Sequence, residues 1–262
     1  SPLMNTISID QNYPPNDPIE TAGQNMPTFA DLDGDGDFDL YVTVLGGAYG
    51  FNLINNFQYY ENIGDAINPM YLQMTTNFLK VYDIHDNAAP ALYDIDDDGD
   101  LDLFIGNSFQ TSAFPWNGRI KFLRNIGSNN QPVYSLEDES FLGNLLGKEL
   151  VPEFADIDDD GDGDLFIGEL YGGILYFENT GNANTPHYTD HTMLNDIDVG
   201  YNAVPAFCDI DADGDLDLIV GADNGRLEFY QNDGTSQSFD FQLIDENWQN
   251  IQLNGKSSPE FL

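Results

Sequence analysis

The chain has 262 residues, of which 46 are acidic and only 7 are Lys or Arg, so its formal net charge at pH 7 is −39. This charge argues against binding to nucleic acids or anionic membranes, because both depend on patches of Lys and Arg. The single cysteine, Cys208, excludes an intramolecular disulfide framework, and no stretch approaches the roughly 18 apolar residues that a membrane span needs.

An Asp-rich segment recurs four times along the chain. The copies are PTFADLDGDGDFDLYV from Pro27, PALYDIDDDGDLDLFI from Pro90, PEFADIDDDGDGDLFI from Pro152 and PAFCDIDADGDLDLIV from Pro205. The intervals between these prolines are 63, 62 and 53 residues, and 54 more lead to Pro259. Such intervals lie within or near the range of the four-stranded blades of a β-propeller.

Each repeat predicts four strands in the same order. One apolar run precedes the Asp-rich loop and a second, such as DLFIG, follows it; runs of this kind are typical of strands. An aromatic strand comes next, then an Asn-x-Gly turn, explained by the tolerance of Asn and Gly for positive φ, and then an outer strand. The expected core positions on the first two strands are Phe29, Leu40, Val42, Leu92, Leu103, Ile105, Phe154, Leu165, Ile167, Phe207, Leu218 and Val220.

The repeat boundaries divide the chain into units. We predict the tail of a preceding blade or an outer strand at residues 1–26, blades at 27–89, 90–151, 152–204 and 205–258, and the first strand of a further blade at 259–262. Three explanations fit termini that fall within blades: a fragment of a longer propeller, a ring closed by pairing of the terminal segments, or a subunit that exchanges strands with its neighbours and so builds a fibre.

The Asp-rich loops have the donor pattern of a site for a hard cation. In each nine-residue loop, carboxylates at positions 1, 3, 5 and 9 can converge on one ion, Gly at position 6 permits a sharp turn, and the carbonyl of position 7 completes the shell. Oxygen donors without nearby Cys or His favour Ca²⁺ over zinc or copper, and we expect about four ions, one per repeat. The predicted metal residues are Asp31, Asp33, Asp35, Asp37 and Asp39; Asp94, Asp96, Asp98, Asp100 and Asp102; Asp156, Asp158, Asp160, Asp162 and Asp164; and Asp209, Asp211, Asp213, Asp215 and Asp217.

The loops differ from EF-hands, which join helices and carry a bidentate Glu at position 12. That position is here Val42, Ile105, Ile167 or Val220, each inside a predicted strand. The missing Glu predicts Kd values of roughly 10⁻⁵ to 10⁻³ M, nearer the extracellular range than that of cytosolic sensors. Four copies with identical spacing argue against merely solvated acidic loops. Because sites this weak fill outside cells, we expect a secreted protein that is extracellular or on the cell surface.

The core D-x-D-x-D-G-D-x-D-L, the strand ending in Ile/Val-Gly and the later aromatic-x-Asn-x-Gly resemble FG-GAP/VCBS-type repeats, the calcium-binding blades also found in the integrin α-subunit propeller. The resemblance covers about residues 27–258. It implies an all-β fold, a β-propeller of four-stranded antiparallel blades with four complete repeats plus partial blades at both termini. It also implies calcium sites in the hairpins between first and second strands. The FG-GAP dipeptides themselves are poorly kept, and such propellers usually have seven blades.

Two repeats are longer than the others because of insertions between their second and third strands, at about residues 46–56 and 107–118. These insertions would emerge on the face opposite the calcium loops. Aromatic side chains there could stack on a glycan or anchor a protein partner; the alternative is that they cover a local satellite core. The candidate ligand-binding residues are Tyr49, Phe51, Phe109, Phe114 and Trp116.

The leading functional hypothesis is a calcium-stabilised module for adhesion, recognition or assembly, without catalysis. Its partner would be a glycan or protein on the face opposite the calcium loops, or identical subunits through the terminal strands. One alternative is a subunit of an extracellular filament or matrix joined by strand exchange. A second is a polysaccharide-active, lyase-like enzyme; against it, most carboxylates are assigned to calcium, and His85, His187 and His191 occupy non-equivalent repeat positions.

Overall fold

Four antiparallel sheets of four strands each make up the described structure. The computed structural model describes residues 25–44, 57–75, 78–79, 88–108, 118–128, 131–143, 147–189, 192–194, 197–235 and 237–261. In every sheet the strands lie side by side in chain order, so each sheet is one meander. We call the sheets blades 1 to 4.

The strand boundaries repeat closely from blade to blade. Blade 1 contains β1 (Asn25–Ala30), β2 (Asp39–Val44), β3 (Phe57–Asn62) and β4 (Tyr71–Thr75); blade 2 contains β5 (Ala89–Tyr93), β6 (Asp102–Gly106), β7 (Ile120–Asn125) and β8 (Tyr134–Phe141); blade 3 contains β9 (Val151–Ala155), β10 (Asp164–Gly168), β11 (Ile174–Phe177) and β12 (Thr192–Met193); blade 4 contains β13 (Val204–Cys208), β14 (Asp217–Gly221), β15 (Leu227–Asn232) and β16 (Phe241–Asp245). A 3₁₀ turn at Trp248–Asn250 follows the last strand.

The first strand of each blade lies at the centre of a ring. Strands β1, β5, β9 and β13 contact one another in sequence around this centre. Met26, Ala89, Val151 and Val204, each directly before the proline that opens a repeat, form one buried cluster on the axis. Because the four Asp-rich loops follow these residues at the same distance along equivalent strands, all four loops lie on one face of the ring.

The apolar runs after the Asp-rich loops are buried on both faces. All five residues of β6, β10 and β14 are buried, since each second strand is packed between its own blade and a neighbouring one. A strand covered on both faces needs a continuous apolar run such as DLFIG. The outer strands β4 and β16, by contrast, are largely exposed.

A close backbone contact sets the step from one blade to the next. A Cβ atom on Gly106 or Gly168, the last residue of a second strand, would overlap the carbonyl oxygen of Leu150 or Ala203 just before the next blade. Blade 1 has Thr43 at the equivalent position, and its Oγ1 donates a hydrogen bond of 2.5 Å to the Ala88 carbonyl oxygen. The same backbone step is therefore made in two chemical ways.

The segment 257–261 connects blade 4 to blade 1. Ser257 Oγ donates to the Arg226 carbonyl oxygen at 2.5 Å, and Phe261 packs on the apolar cluster of blade 4. Glu260 reaches blade 1, where it accepts hydrogen bonds from Thr28 Oγ1 at 3.3 Å and from the backbone N–H of Phe29. We call 257–261 the closing segment.

The all-β propeller predicted from the sequence is confirmed, with four four-stranded sheets in a ring. The core positions predicted after the loops are buried, whereas those before the loops, such as Phe29 and Phe154, are partly buried and pack against the core clusters. Most of the predicted N-terminal tail and the five candidate aromatics Tyr49, Phe51, Phe109, Phe114 and Trp116 lie outside the described residues.

Candidate metal centre

Each Asp-rich loop forms the hairpin between the first and second strands of its blade, at the same register in all four copies. In blade 3 the first residue of β10, Asp164, is paired with the last residue of β9, Ala155, and residues 156–163 span the turn. The strand-to-strand placement predicted for these loops is therefore present in every blade.

The first carboxylate of each loop organises the turn. In blade 3, Asp156 Oδ1 accepts from the backbone N–H of Asp160 at 3.1 Å, and Oδ2 accepts from that of Gly161 at 3.0 Å. Gly161 has φ of +95°, a conformation that a side chain would strain. The other loops make the same two bonds from Asp31, Asp94 and Asp209, and their position-6 residues Gly36, Gly99 and Gly214 also have positive φ.

Three carboxylates converge in each loop. In the first three blades they belong to positions 1, 3 and 5, and one oxygen of each lies within 4.8 Å of the others. In blade 4 the converging set is Asp209, Asp211 and Asp217, so position 9 replaces position 5. The trios of the first three blades are Asp31, Asp33 and Asp35; Asp94, Asp96 and Asp98; and Asp156, Asp158 and Asp160.

The position-9 aspartates are the most buried members of the loops. Asp164 Oδ1 accepts from the backbone N–H of Asn179 at 2.7 Å and Oδ2 accepts from Tyr176 Oη at 3.2 Å. Burial raises the pKa of Asp164 to about 7, although these hydrogen bonds act in the opposite direction. Burial likewise raises the pKa of Asp39 and of Asp102 to about 6.

Sequence reasoning missed the third-strand partners of these aspartates. Tyr59 and Tyr176 each stand three residues before the turn asparagine, and their hydroxyls bind Asp39 and Asp164. Blade 2 has Phe122 at this position, and Asp102 Oδ2 is buried without a hydrogen-bond partner. The alternation of Tyr and Phe before the Asn-x-Gly turn was the available signal.

The Asn-x-Gly turn itself has a different cause from the one expected. Neither Asn179 nor Gly181 has positive φ, and the same holds for the equivalent residues of the other blades. Glycine is required there for space, because a Cβ on Gly181 would overlap the Thr185 carbonyl oxygen. The expectation of a left-handed backbone at these turns was therefore wrong, although the turns exist.

The donor set suits a hard divalent cation. Every group of possible metal-binding side chains in the described residues consists of aspartates alone. Buried oxygens without partners, Asp37 Oδ1, Asp102 Oδ2 and Asp162 Oδ1, belong to these loops. Burial and the neighbouring carboxylates raise the pKa of Asp162 to about 6. A bound cation would offset the repulsion between the loop carboxylates and would give the position-9 oxygen Asp102 Oδ2 a partner, so each of these clusters could hold a metal ion.

Comparison with known protein families identifies the repeat. Residues 156–220 match the model of the FG-GAP-like repeat. The matched segment runs from the first aspartate of the blade 3 loop into β14, so it includes the aspartate loops of blades 3 and 4 completely. FG-GAP-like repeats often bind calcium and are typical of extracellular proteins. A search of curated proteins found no match to the chain.

Within the described part of the chain, no helix has the length and apolar character needed to cross a membrane. His187 is an exposed turn residue whose Nδ1 lies 3.2 Å from Thr180 Oγ1, and it belongs to none of the possible metal-binding groups of the described residues. His85 and His191 lie outside the described residues.

Proposed function

We propose that the chain is a secreted, calcium-stabilised β-propeller module that serves cell-surface adhesion, recognition or assembly without catalysis. The observation that carries this proposal is the convergence of three carboxylates in the same hairpin of all four blades. An isolated acidic cluster would be unremarkable, but four at one register, two of them within the segment that matches an FG-GAP-like repeat, favour a common ligand.

Calcium in these loops would neutralise the converging carboxylates and tie each hairpin into a fixed turn. Position 1 already holds the loop through backbone N–H groups, so its carboxylate is preorganised for the ion. Position 3 and position 5 would supply the next oxygens, with the carbonyl of position 7 and the position-9 carboxylate completing the shell. About four ions would bind at the millimolar calcium found outside cells.

Calcium should raise the stability of the protein. A site with a Kd of about 10⁻⁴ M, exposed to calcium at 100 times that concentration, stabilises the folded state by about 2.7 kcal/mol. We expect urea unfolding in about 10 mM CaCl₂ to require more denaturant than unfolding in EGTA, and calorimetry to detect about four ions. Equal stability in both solutions would contradict the proposal.

A matched pair of variants localises the effect. Asp156→Asn removes a carboxylate charge from the blade 3 loop, whereas Asp233→Asn removes one from an exposed turn outside the aspartate groups. Asp156→Asn should lose about one bound ion, and Asp233→Asn should bind as many as the unmodified chain. Equal losses from both variants would indicate a nonspecific response to net charge.

Exposed apolar side chains on two outer strands favour assembly as a second candidate function. Leu72 and Met74 on β4 are 50% and 51% exposed, and Leu243 and Ile244 on β16 are 46% and 55% exposed. Apolar edge strands can pair with another chain. Light scattering in calcium tests this: a large or open-ended assembly supports a filament subunit, whereas a monomer supports a recognition module with a glycan or protein partner.

A further inference from the structure

One residue at the end of the third strand, or directly after it in blade 3, lies beside each aspartate loop and differs in charge among the blades. It directly precedes the turn asparagine and is Glu61, Arg124, Glu178 or Gln231 in blades 1 to 4. The backbone N–H of that asparagine donates to the position-9 aspartate, which places the preceding residue beside the loop. Within the loops the charge differs at position 4, which is Gly34, Asp97, Asp159 and Ala212 in blades 1 to 4, so the residue before the turn asparagine is the second position at which the four sites diverge in charge.

In blade 2 the loop already has a protein cation beside it. The Arg124 guanidinium donates to Asp96 Oδ2 through Nη1 and to Glu137 through Nε and Nη2. Its position is further fixed above the Phe122 ring, at 5.2 Å from the centroid. Asp96 is position 3 of the loop, so one of the three converging carboxylates is committed to arginine.

Blade 4 has a neutral version of the same contact. Gln231 Nε2 donates to Asp211 Oδ2, the position-3 carboxylate, at 2.7 Å. A glutamine amide satisfies this oxygen without adding positive charge, and its own carbonyl oxygen is a possible calcium ligand. The contact shows independently of blade 2 that the side chain before the turn asparagine reaches position 3.

Blades 1 and 3 have a carboxylate at this position. Glu178 and Glu61 directly precede Asn179 and Asn62, whose backbone N–H groups donate to the position-9 aspartates Asp164 and Asp39. Arg124 and Gln231, at the same register in blades 2 and 4, both contact the position-3 carboxylate, which places Glu61 and Glu178 beside the position-3 residues Asp33 and Asp158. In these blades the third strand adds negative charge to the site.

We infer that the residue before the turn asparagine grades calcium affinity, so that blades 1 and 3 bind calcium most tightly, blade 4 less tightly and blade 2 most weakly. The inference rests on the proposed calcium binding. In blade 2 calcium must share Asp96 with Arg124 or displace it, and either way the arginine charge opposes the binding of a second cation. Blades 1 and 3 instead offer an additional carboxylate, and affinity in oxygen-ligand sites rises with ligand charge.

The surroundings of Arg124 permit that displacement. A groove of about 500 Å³ between blades 2 and 3 is lined by Asp96, Arg124, Glu137 and Asn184, among others. Asp96 and Arg124 side chains are 30% and 28% exposed. The guanidinium can therefore keep Glu137 as its partner while water and calcium reach Asp96.

Calcium titration of single-residue variants by calorimetry tests the grading. Arg124→Gln, which copies blade 4, should tighten the weakest site by about three- to tenfold, since it removes one partly screened positive charge. Gln231→Arg should weaken one site by a similar factor, and Glu178→Gln should weaken one of the two tight sites. Arg226→Gln removes an exposed positive charge away from the aspartate groups and should leave all sites unchanged.

The outcomes separate the two proposals. If the unmodified protein binds no calcium at millimolar concentration, the proposed function fails. If it binds calcium but at equivalent sites whose affinities ignore Arg124→Gln, Gln231→Arg and Glu178→Gln, the proposed function stands and the grading is overturned. Because Arg124→Gln also removes the contact with Glu137, Gln231→Arg serves as the variant that creates the competing cation without breaking an ion pair.

Discussion

At the scale of single residues, the turn asparagines connect each aspartate loop to the outer part of its blade. The backbone N–H of Asn179 donates to Asp164, while its Oδ1 accepts from the backbone N–H groups of Gly181 at 3.1 Å and His187 at 2.8 Å. Asn62, Asn125 and Asn232 make the same set of bonds. The side-chain oxygen of one asparagine thereby fixes the turn, and its backbone N–H orients a buried carboxylate.

Asn179→Ala should therefore be costly. It leaves two backbone N–H groups without their acceptor, and we expect the free energy of unfolding to fall by about 1–3 kcal/mol in urea denaturation. Asn182→Ala, three residues further on in the same exposed turn, should change it by no more than about 0.5 kcal/mol. If both variants lose the same free energy of unfolding, the proposed role of Asn179 in fixing the turn is wrong.

At the scale of strands, the end of each second strand limits how closely successive blades approach. Gly168 lies against the Ala203 carbonyl oxygen and the Pro205 ring, so the contact joins backbone to backbone. Large aromatic side chains fill the space beyond this contact: Phe166 of β10 packs on Phe207 of blade 4, with ring centroids 4.4 Å apart. In this interface between blades, glycine permits the close backbone contact and the aromatic side chains fill the remaining space.

Gly168→Ala should destabilise the ring by about 3 kcal/mol, because the new methyl group overlaps a backbone carbonyl that cannot rotate away. Gly143→Ala is the comparison: its Cβ meets open space, and only its φ of +77° makes alanine unfavourable, by about 1 kcal/mol. Thermal or urea unfolding measures both. Equal losses would show that steric overlap does not limit the blade step.

The strands and loops follow from local patterns, and this explains how far sequence reasoning reaches. An alternating or continuous apolar run and a nine-residue aspartate loop are complete within about fifteen residues, so they predicted the hairpins and the four-stranded blades. The contact of Tyr176 with Asp164, the pair of Arg124 with Asp96 and the space required at Gly181 depend on neighbouring strands in the folded blade. No local sequence pattern within a single repeat predicts these contacts.

At the scale of the whole molecule, the closing segment brings together two glutamates that are distant in the chain. Glu260 of the closing segment and Glu153 of β9 occupy equivalent repeat positions, each directly after a proline, and both line the centre of the ring. Burial, with Glu260 as its neighbour, raises the pKa of Glu153, and burial raises the pKa of Glu260 to about 7 despite its bonds to Phe29 and Thr28. This proximity was not predictable from either local sequence.

The pair predicts a pH dependence of stability. Because the folded-state pKa of Glu260 is raised above its unfolded value, its stabilising contribution is full below the unfolded pKa of about 4.3 and is lost as pH rises through about 7. Glu260→Gln should remove this loss and make the protein about 1–3 kcal/mol more stable relative to the unmodified chain at pH 8 than at pH 5.

Urea unfolding at both pH values and constant calcium measures the difference. Glu246→Gln is the control, since Glu246 is exposed and lies outside the centre of the ring. A Glu260→Gln variant with the same pH dependence as the unmodified chain would show that titration of Glu260 does not cause the pH dependence of stability.

The placement of all four aspartate loops on one face gives the propeller a large electric dipole moment. Twenty-two of the 46 acidic residues are aspartates of these loops, so much of the negative charge is concentrated at one end of the ring axis. Four calcium ions would add eight positive charges at that end alone. The dipole moment would then change in magnitude or direction as the calcium concentration rises. Calcium concentration would in this way set which face the molecule presents to a charged surface.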